Sequence, residues 1–353
     1  MGDNPVKDHG PEAPVHLFQP GSPQNPAVPP QVWHRWMRRG VVFLTALMGV
    51  YLGISIWAAR GDLMRAMGQL PLSVLPCVVA LVFLGLALRA ARWHYYVRRL
   101  QWDVPWHHSL IAFLAGFVFT ATPGKAGEVV KSVLLRTRYD VPLADGVGVL
   151  LVERLGDLLA VLILAVGGLA LLGDALIYFL AATVCVVGMT VFVSSRRIYT
   201  PVLSQIAKLP KLAGPVDKIL RLLGTGESLL RPTPFLIGVG IAVVAWGCEG
   251  WAFHVLIRGF GVESHFLTSC SIYGVATLVG ALSALPGGLG SFEVVMVLLL
   301  SRLGMPVTAA ALPVVLFRLC TLWLGSLVGL IAMGSWLFWI TPPGAQKPSG
   351  DLS

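Results

Sequence analysis

The chain has 353 residues, 56% of them hydrophobic and 12% charged, with a mean hydropathy of +0.78 and a formal net charge of +9. An ordinary soluble domain carries roughly 25% charged residues, so this composition excludes a soluble globular enzyme and points to an integral membrane protein. Nucleic acid is excluded as a partner because no soluble domain holds the positive charge, which reads instead as an orientation signal.

Residues 1–31 are polar and proline-rich, a composition that predicts a disordered tail. They hold no apolar core ahead of a small-residue cleavage site, so no cleaved signal peptide is expected. Full spans, each needing about 20 apolar residues, are expected near 41–59, 72–91, 142–172, 175–195, 233–257 and 307–338, the last long enough to be broken. Two further apolar stretches, 109–122 and 269–285, run into Pro-Gly and are followed by short helical segments near 127–136 and 290–302. Each arm is too short to span, so each helix, glycine turn and helix is expected to form a re-entrant pair. Lipid cannot satisfy free N–H and C=O groups, which places both turns inside the protein. The predicted fold is an all-α polytopic membrane protein with about six full transmembrane helices and two re-entrant helix pairs. Its domain covers 32–340 and is followed by a tail, 341–353.

The two turns are written alike. The first reads Pro123-Gly124-Lys125-Ala126-Gly127-Glu128 and the second Pro286-Gly287-Gly288-Leu289-Gly290-Ser291-Phe292-Glu293. Each is followed by a proline, Pro142 or Pro306, and then by a span carrying Arg154 or Arg318. Weaker echoes lie upstream, where Arg98 and Asp103 match Arg258 and Glu263. Three full spans separate the turns, and an odd count makes the repeat inverted, with halves at about 41–172 and 175–338. Inverted repeats are the structural basis of alternating access. With the N-terminus inside, Arg92, Arg98, Arg99, Arg136, Arg138 and the seven basic residues from Arg196 to Arg231 gather on the inner side. Arg60, Arg65, Arg258 and Arg302 fall outside, so both termini are expected in the cytoplasm. The basic connector, 196–232, is expected to meet anionic lipid heads.

Lys125, Glu128, Glu153, Arg154, Asp157, Glu249, Glu293 and Arg318 lie in or at the edge of apolar segments. At about 2.5–3.5 kcal/mol each at the bilayer centre they would together cost roughly 20 kcal/mol or more if unpaired, above a typical net stability of about 5–15 kcal/mol. They must be paired, hydrated or neutralised. On a helix Glu153 and Asp157 share a face, and Arg154 and Asp157 are spaced to pair. Two readings stand side by side. In the structural one, Arg154 and Arg318 pin Glu128 and Glu293 across the repeats. In the functional one, the helix N-termini at the turns attract a phosphate beside Lys125, with Glu128 and Glu293 as caps or proton carriers. Glu249, between Trp246 and Trp251, is either a satisfied buried carboxylate or a lining residue. The cysteines are scattered singly and predict neither disulfide nor metal site. No nucleotide fingerprint is present, so no cofactor is expected.

Three ordered stretches, Pro-Gly-Lys-Ala-Gly-Glu-Val-Val-Lys at 123–131, Val-Glu-Arg-Leu-Gly-Asp at 152–157 and Pro-Gly-Gly-Leu-Gly-Ser-Phe-Glu at 286–293, resemble the hallmarks of the lysylphosphatidylglycerol synthetase transmembrane-domain family, also called flippase-like membrane proteins. The resemblance covers most of the chain from about 40 to 338. It implies a multi-pass protein of a bacterial or archaeal membrane, here a bacterial inner membrane, that moves lipids or lipid-linked precursors between leaflets. In the best-known members this module precedes a soluble domain that aminoacylates phosphatidylglycerol, an activity not expected of this chain, which ends soon after the last span. Lys125 and Lys131 stand where the family usually has arginine, which keeps the charge and loses bidentate phosphate binding. The expected function is translocation of an anionic phospholipid or lipid-linked precursor by alternating access. The alternatives are a membrane-embedded lipid or polyprenyl transferase and a noncatalytic partner of a lipid-synthesising enzyme.

Overall fold

A computed structural model describes residues 42, 46–51, 53, 70–120, 127–166, 176–208, 213–283 and 285–340. No strand is present among them. In chain order the helices are α1 (Val74–Arg99), α2 (Trp106–Ala115, continued by a 3-10 turn to Phe119), α3 (Val130–Tyr139), α4 (Leu143–Ala165), α5 (Leu176–Ser194), α6 (Arg196–Ala207), α7 (Ala213–Glu227), α8 (Pro232–Gly259), α9 (Phe266–Leu282), α10 (Ser291–Arg302), α11 (Val307–Arg318) and α12 (Leu324–Ser335). A π-helical turn, Leu319–Trp323, joins α11 to α12, so the last apolar segment is one continuous run of helix from Val307 to Phe338.

Among the described residues α1, α8 and the run Val307–Phe338 are long and apolar enough to cross a bilayer, and the count reaches four if α5 and α6, bent by 88°, are taken as one broken span. The expected span at 142–172 appears as α4, whose Asp145, Glu153, Arg154 and Asp157 interrupt its apolar character. Of the span expected at 41–59 only residues 42, 46–51 and 53 are described, and they are helical. The terminal tails and Pro123, Gly124 and Lys125 lie outside the described residues.

Prolines and left-handed residues set the element boundaries. Pro105, Pro142 and Pro306 each stand at the N-cap of α2, α4 and α11, with φ fixed near the helical value and ψ extended. Gln101 (φ 57°) and Gly261 (φ 79°) follow the ends of α1 and α8, and Asp140 (φ 52°) and Gly304 (φ 89°) follow the ends of α3 and α10. These boundaries recur. Arg99 and Gly259 end α1 and α8, and Trp106 and Phe266 begin α2 and α9, in each case 160 positions apart. Pro142 and Pro306, like Arg154 and Arg318, are 164 positions apart.

Helices α1 and α8 pack against each other more extensively than any other described pair. They run antiparallel. Gly259 near the end of α8 meets Leu70 and Val74 before and at the start of α1, and Gly238 near the start of α8 meets Tyr96 near the end of α1. Midway, a Cβ on Gly85 would lie 2.8 Å from the Ala245 carbonyl oxygen, so only glycine allows the backbones this close. Helix α4 packs on α8, α9 and α7, and α12 packs on α2. Helix α5 is apolar on every side and leaves Ile177, Val184, Met189 and Val191 more than half exposed, as a helix facing lipid does.

Two apolar clusters fill the interior. Val78, Val82, Ala160, Phe253, Ile257 and Phe317 belong to one. Trp93, Tyr96, Leu134, Val152, Leu155 and Trp336 belong to the other. Along α1 the first cluster ends at Val82 and the second begins at Ala90, and along α4 the boundary falls between Leu155 and Ala160. The charged side chains occupy the layer between them.

Candidate functional site

Helix α1 carries two arginines into this layer. Arg92 was expected in a cytoplasmic loop, with the span ending near residue 91. Instead α1 continues to Arg99, and Arg92 is 1% exposed. The correction has a physical cause, because a partner carboxylate on a neighbouring helix holds the charge where lipid would not. Arg92 Nη2 lies 2.8 Å from Asp157 Oδ1 and 4.0 Å from Glu153 Oε1. Arg89 pairs with Glu249 on α8.

Helix α4 supplies the opposite charges from one face. Arg154 Nη2 is 2.6 Å from Glu128 Oε2 and 3.5 Å from Asp157 Oδ2. Asp157 Oδ1 also accepts from Trp246 Nε1–H at 3.1 Å. Glu153, turned toward α3, pairs with Lys131, whose ammonium lies 4.2 Å from the centre of the Trp93 ring. The second half makes a matching pair, with Arg318 Nε 2.6 Å from Glu293 Oε1. Each arginine thus binds the acidic residue of its own half's turn, Arg154 to Glu128 and Arg318 to Glu293, so the pairing runs within the halves.

The second glycine turn is held tightly. Gly287, Gly288 and Gly290 have φ of 61°, 67° and 86°, values that favour glycine. Gly288 N–H donates to the Leu285 carbonyl and Leu289 N–H to that of Pro286. Gly290 N–H donates to Glu293 Oε2 at 2.7 Å, and Arg318 Nη2 donates to the Gly287 carbonyl at 2.7 Å. Glu293 therefore caps α10, and these backbone donors are spent inside the turn. Of the first turn, Gly127 abuts Phe119 and Glu128 is 5% exposed.

A cavity of about 360 Å³ lies against this network. Arg89, Arg154, Arg318, Asp157, Glu249 and Tyr273 contribute its polar wall, and Gly287 and Gly288 bring the second turn to it. Apolar residues line the rest, among them Leu86, Phe117, Val161, Leu278, Phe292 and Leu322. The Nε atoms of Arg89 and Arg154 are buried without a hydrogen-bond partner. A second space of about 20 Å³, enclosed by Arg92, Glu128, Glu153, Asp157 and their neighbours, is large enough for a water, which needs roughly 10–15 Å³ measured this way. Among the described residues no group of three or more histidine, cysteine or acidic side chains is arranged to hold a metal.

The sequence reading named Glu128, Glu153, Arg154, Asp157, Glu249, Glu293 and Arg318, and in the structure each of them has an oppositely charged partner, with Arg318 and Glu293 forming a pair apart from the rest. It missed Arg89, Trp246 as a donor, and Tyr273, whose hydroxyl donates to Glu249. One signal was available for Arg89. Arg89 and Glu249 stand 160 positions apart, the same interval that relates Arg98 to Arg258. Arg89 is also three residues before Arg92, which puts both on one helix face. Tyr273 carries no such mark in the sequence.

Residues 40–329 match the family described as the lysylphosphatidylglycerol synthase TM region. Two relatives named UPF0104 membrane protein, both from Methanothermobacter thermautotrophicus (strain Delta H), are each 25% identical. One alignment covers 84% of this chain and 92% of the relative, the other 74% and 85%. A shorter similarity, 27% identity over 97 residues, covers 28% of this chain and 11% of the phosphatidylglycerol lysyltransferase of Bacillus subtilis (strain 168). With a membrane-spanning helical fold and a family match over most of its length, this integral membrane protein belongs to the lysylphosphatidylglycerol synthase transmembrane-region family.

Proposed function

We propose that the protein translocates an anionic, phosphate-bearing lipid or lipid-linked precursor between leaflets by alternating access. The observation that carries this reading is the cavity of about 360 Å³, in which three guanidinium groups share a wall with apolar side chains. Its volume lies in the range of small-molecule sites, roughly 300–1,000 Å³, suited to a polar headgroup while the tails stay in lipid. Guanidinium forks match phosphate oxygens bidentately, and Arg89, Arg154 and Arg318 all line the cavity. The name of the Bacillus subtilis relative makes phosphatidylglycerol the first headgroup to try.

An inverted repeat supplies the motion. Supporting it are the recurring helix boundaries and the antiparallel packing of α1 on α8, the helices at matching places in the two halves. Residues at equivalent places touch each other, Gly85 with Ala245 and Arg89 with Glu249, as they do where a pseudo-two-fold axis passes. Rocking of the halves about this crossing would open the cavity to each side in turn. The orientation we adopt puts the basic helices α6 and α7 and both termini in the cytoplasm of a bacterial inner membrane.

The test is movement of fluorescent-tailed phosphatidylglycerol across liposomes holding the purified protein. Protein-dependent movement is expected, reduced in Arg154→Gln and Arg318→Gln variants that still insert. If neither phosphatidylglycerol, phosphatidylethanolamine nor a polyprenyl phosphate moves, the translocase reading fails.

A further inference from the structure

The carboxylates facing the cavity are not held equally. Asp157 on α4 is bracketed by two guanidinium groups, Arg92 and Arg154, and accepts from Trp246. Glu249 has one cation, Arg89, and one neutral donor, the Tyr273 hydroxyl of α9. The remaining described charge on the wall, Arg318 at the end of α11, is committed to Glu293 and the Gly287 carbonyl. Glu249 itself is 7% exposed.

Among the described residues of this layer every cation already has a carboxylate partner: Arg89, Arg92, Lys131, Arg154 and Arg318 face Glu249, Asp157, Glu153, Glu128 and Glu293. A phosphate arriving without a counter-charge therefore adds an unbalanced negative charge to a low-dielectric site, where an unpaired ion is costly. Of the guanidinium groups on the wall, Arg89 has one carboxylate partner, Arg154 has two, and Arg318 holds both Glu293 and the Gly287 carbonyl, so a phosphate displaces least at Arg89, and one guanidinium cannot neutralise both phosphate and Glu249. The carboxylate with the fewest cations gives way, by accepting a proton from water on the oxygen that Arg89 leaves while its other oxygen keeps the Tyr273 hydrogen bond.

Resting on the translocase reading, we propose that Glu249 takes up a proton whenever a lipid phosphate occupies Arg89, so that phosphate and proton cross together as a neutral pair. The proton site is thus at the crossing of α1 and α8, and not at the acidic residues of the glycine turns. Glu293 is spent as a helix cap and Arg318 partner, and Glu128 does not line this cavity.

The test uses the wild-type protein in sealed liposomes containing a pH-sensitive dye, with fluorescent-tailed phosphatidylglycerol as the probe and a potassium–valinomycin potential imposed in either direction. Lipid and protons are expected to move in equal numbers, at a rate indifferent to the potential. Lipid movement that follows the potential and carries no proton flux overturns the coupling and leaves the translocase standing. Absence of movement for phosphatidylglycerol and for the other phosphate-bearing lipids overturns both. In Glu249→Gln, lipid movement is expected to lose its proton flux and become sensitive to potential, and retention of that flux would also overturn the proposal. If that variant does not fold, the wild-type measurement decides alone.

Discussion

Removing one member of the Arg89–Glu249 pair leaves a charge buried beside apolar side chains, and a buried ion stripped of its partner typically costs about 3–5 kcal/mol. Arg89→Ala and Glu249→Ala are therefore expected to lower the unfolding temperature of the detergent-solubilised protein sharply. Arg89→Met combined with Glu249→Met should recover most of the loss, because both charges then leave the low-dielectric layer. A double variant as unstable as the sum of the singles would show that the two side chains act independently. At the second turn the expected order is different. Glu293→Gln keeps an acceptor for the Gly290 N–H and is expected to cost about 1–3 kcal/mol. Arg318→Ala abandons both Glu293 and the Gly287 carbonyl and should cost more, a ranking that thermal unfolding reads directly. The acidic residues and arginines of the motifs were legible in the sequence because a charge stands out in an apolar run. Trp246 and Tyr273 were not, because an aromatic side chain in such a run looks the same whether it packs or donates a hydrogen bond.

Close helix packing at Gly85 is a property of two elements together. A side chain there collides with the Ala245 carbonyl, so Gly85→Val is expected to push α1 off α8 and to destabilise by about 1–3 kcal/mol, as overpacking does. Unfolding at the wild-type temperature would contradict the close approach. Helix α6 presents a second elemental feature. It leaves α5 at 88° and exposes Ile198, Val202 and Ile206 at helical spacing, with Tyr199 and Leu203 buried alongside. Its Arg196 and Arg197, and Lys208 just past its end, are exposed. An amphipathic helix with such a face lies along the bilayer surface. Fluorescent labels on Ile198→Cys and Val202→Cys should thus be quenched by nitroxide lipids and shielded from iodide in liposomes. The reverse pattern would place this face in water. Helix lengths were partly legible. The apolar run of α1 stops reading as a span at its arginines, and only the partners on α4 and α8 reveal that helix and burial continue past them.

At the scale of the whole molecule, the sequence repeats a pattern in the turns, in Pro142 and Pro306, and in the interval between Arg98 and Arg258, which is the basis of the proposed twofold organisation. What it does not display is where the two halves touch, since contact between residues 160 positions apart depends on the direction in which α1 and α8 cross. That crossing sets the charged layer between two apolar clusters and opens a cavity whose polar wall draws on both halves. The central claim is that this wall recognises a phosphate on a lipid. The most direct measurement compares, in liposomes with the purified wild-type protein, the transbilayer movement of phosphatidylglycerol and of a phosphate-free glycosyl diacylglycerol bearing the same fluorescent tails. Rapid movement of the first with the second left at the protein-free rate is the predicted result. Equal movement of the two, or movement of neither, would contradict the account.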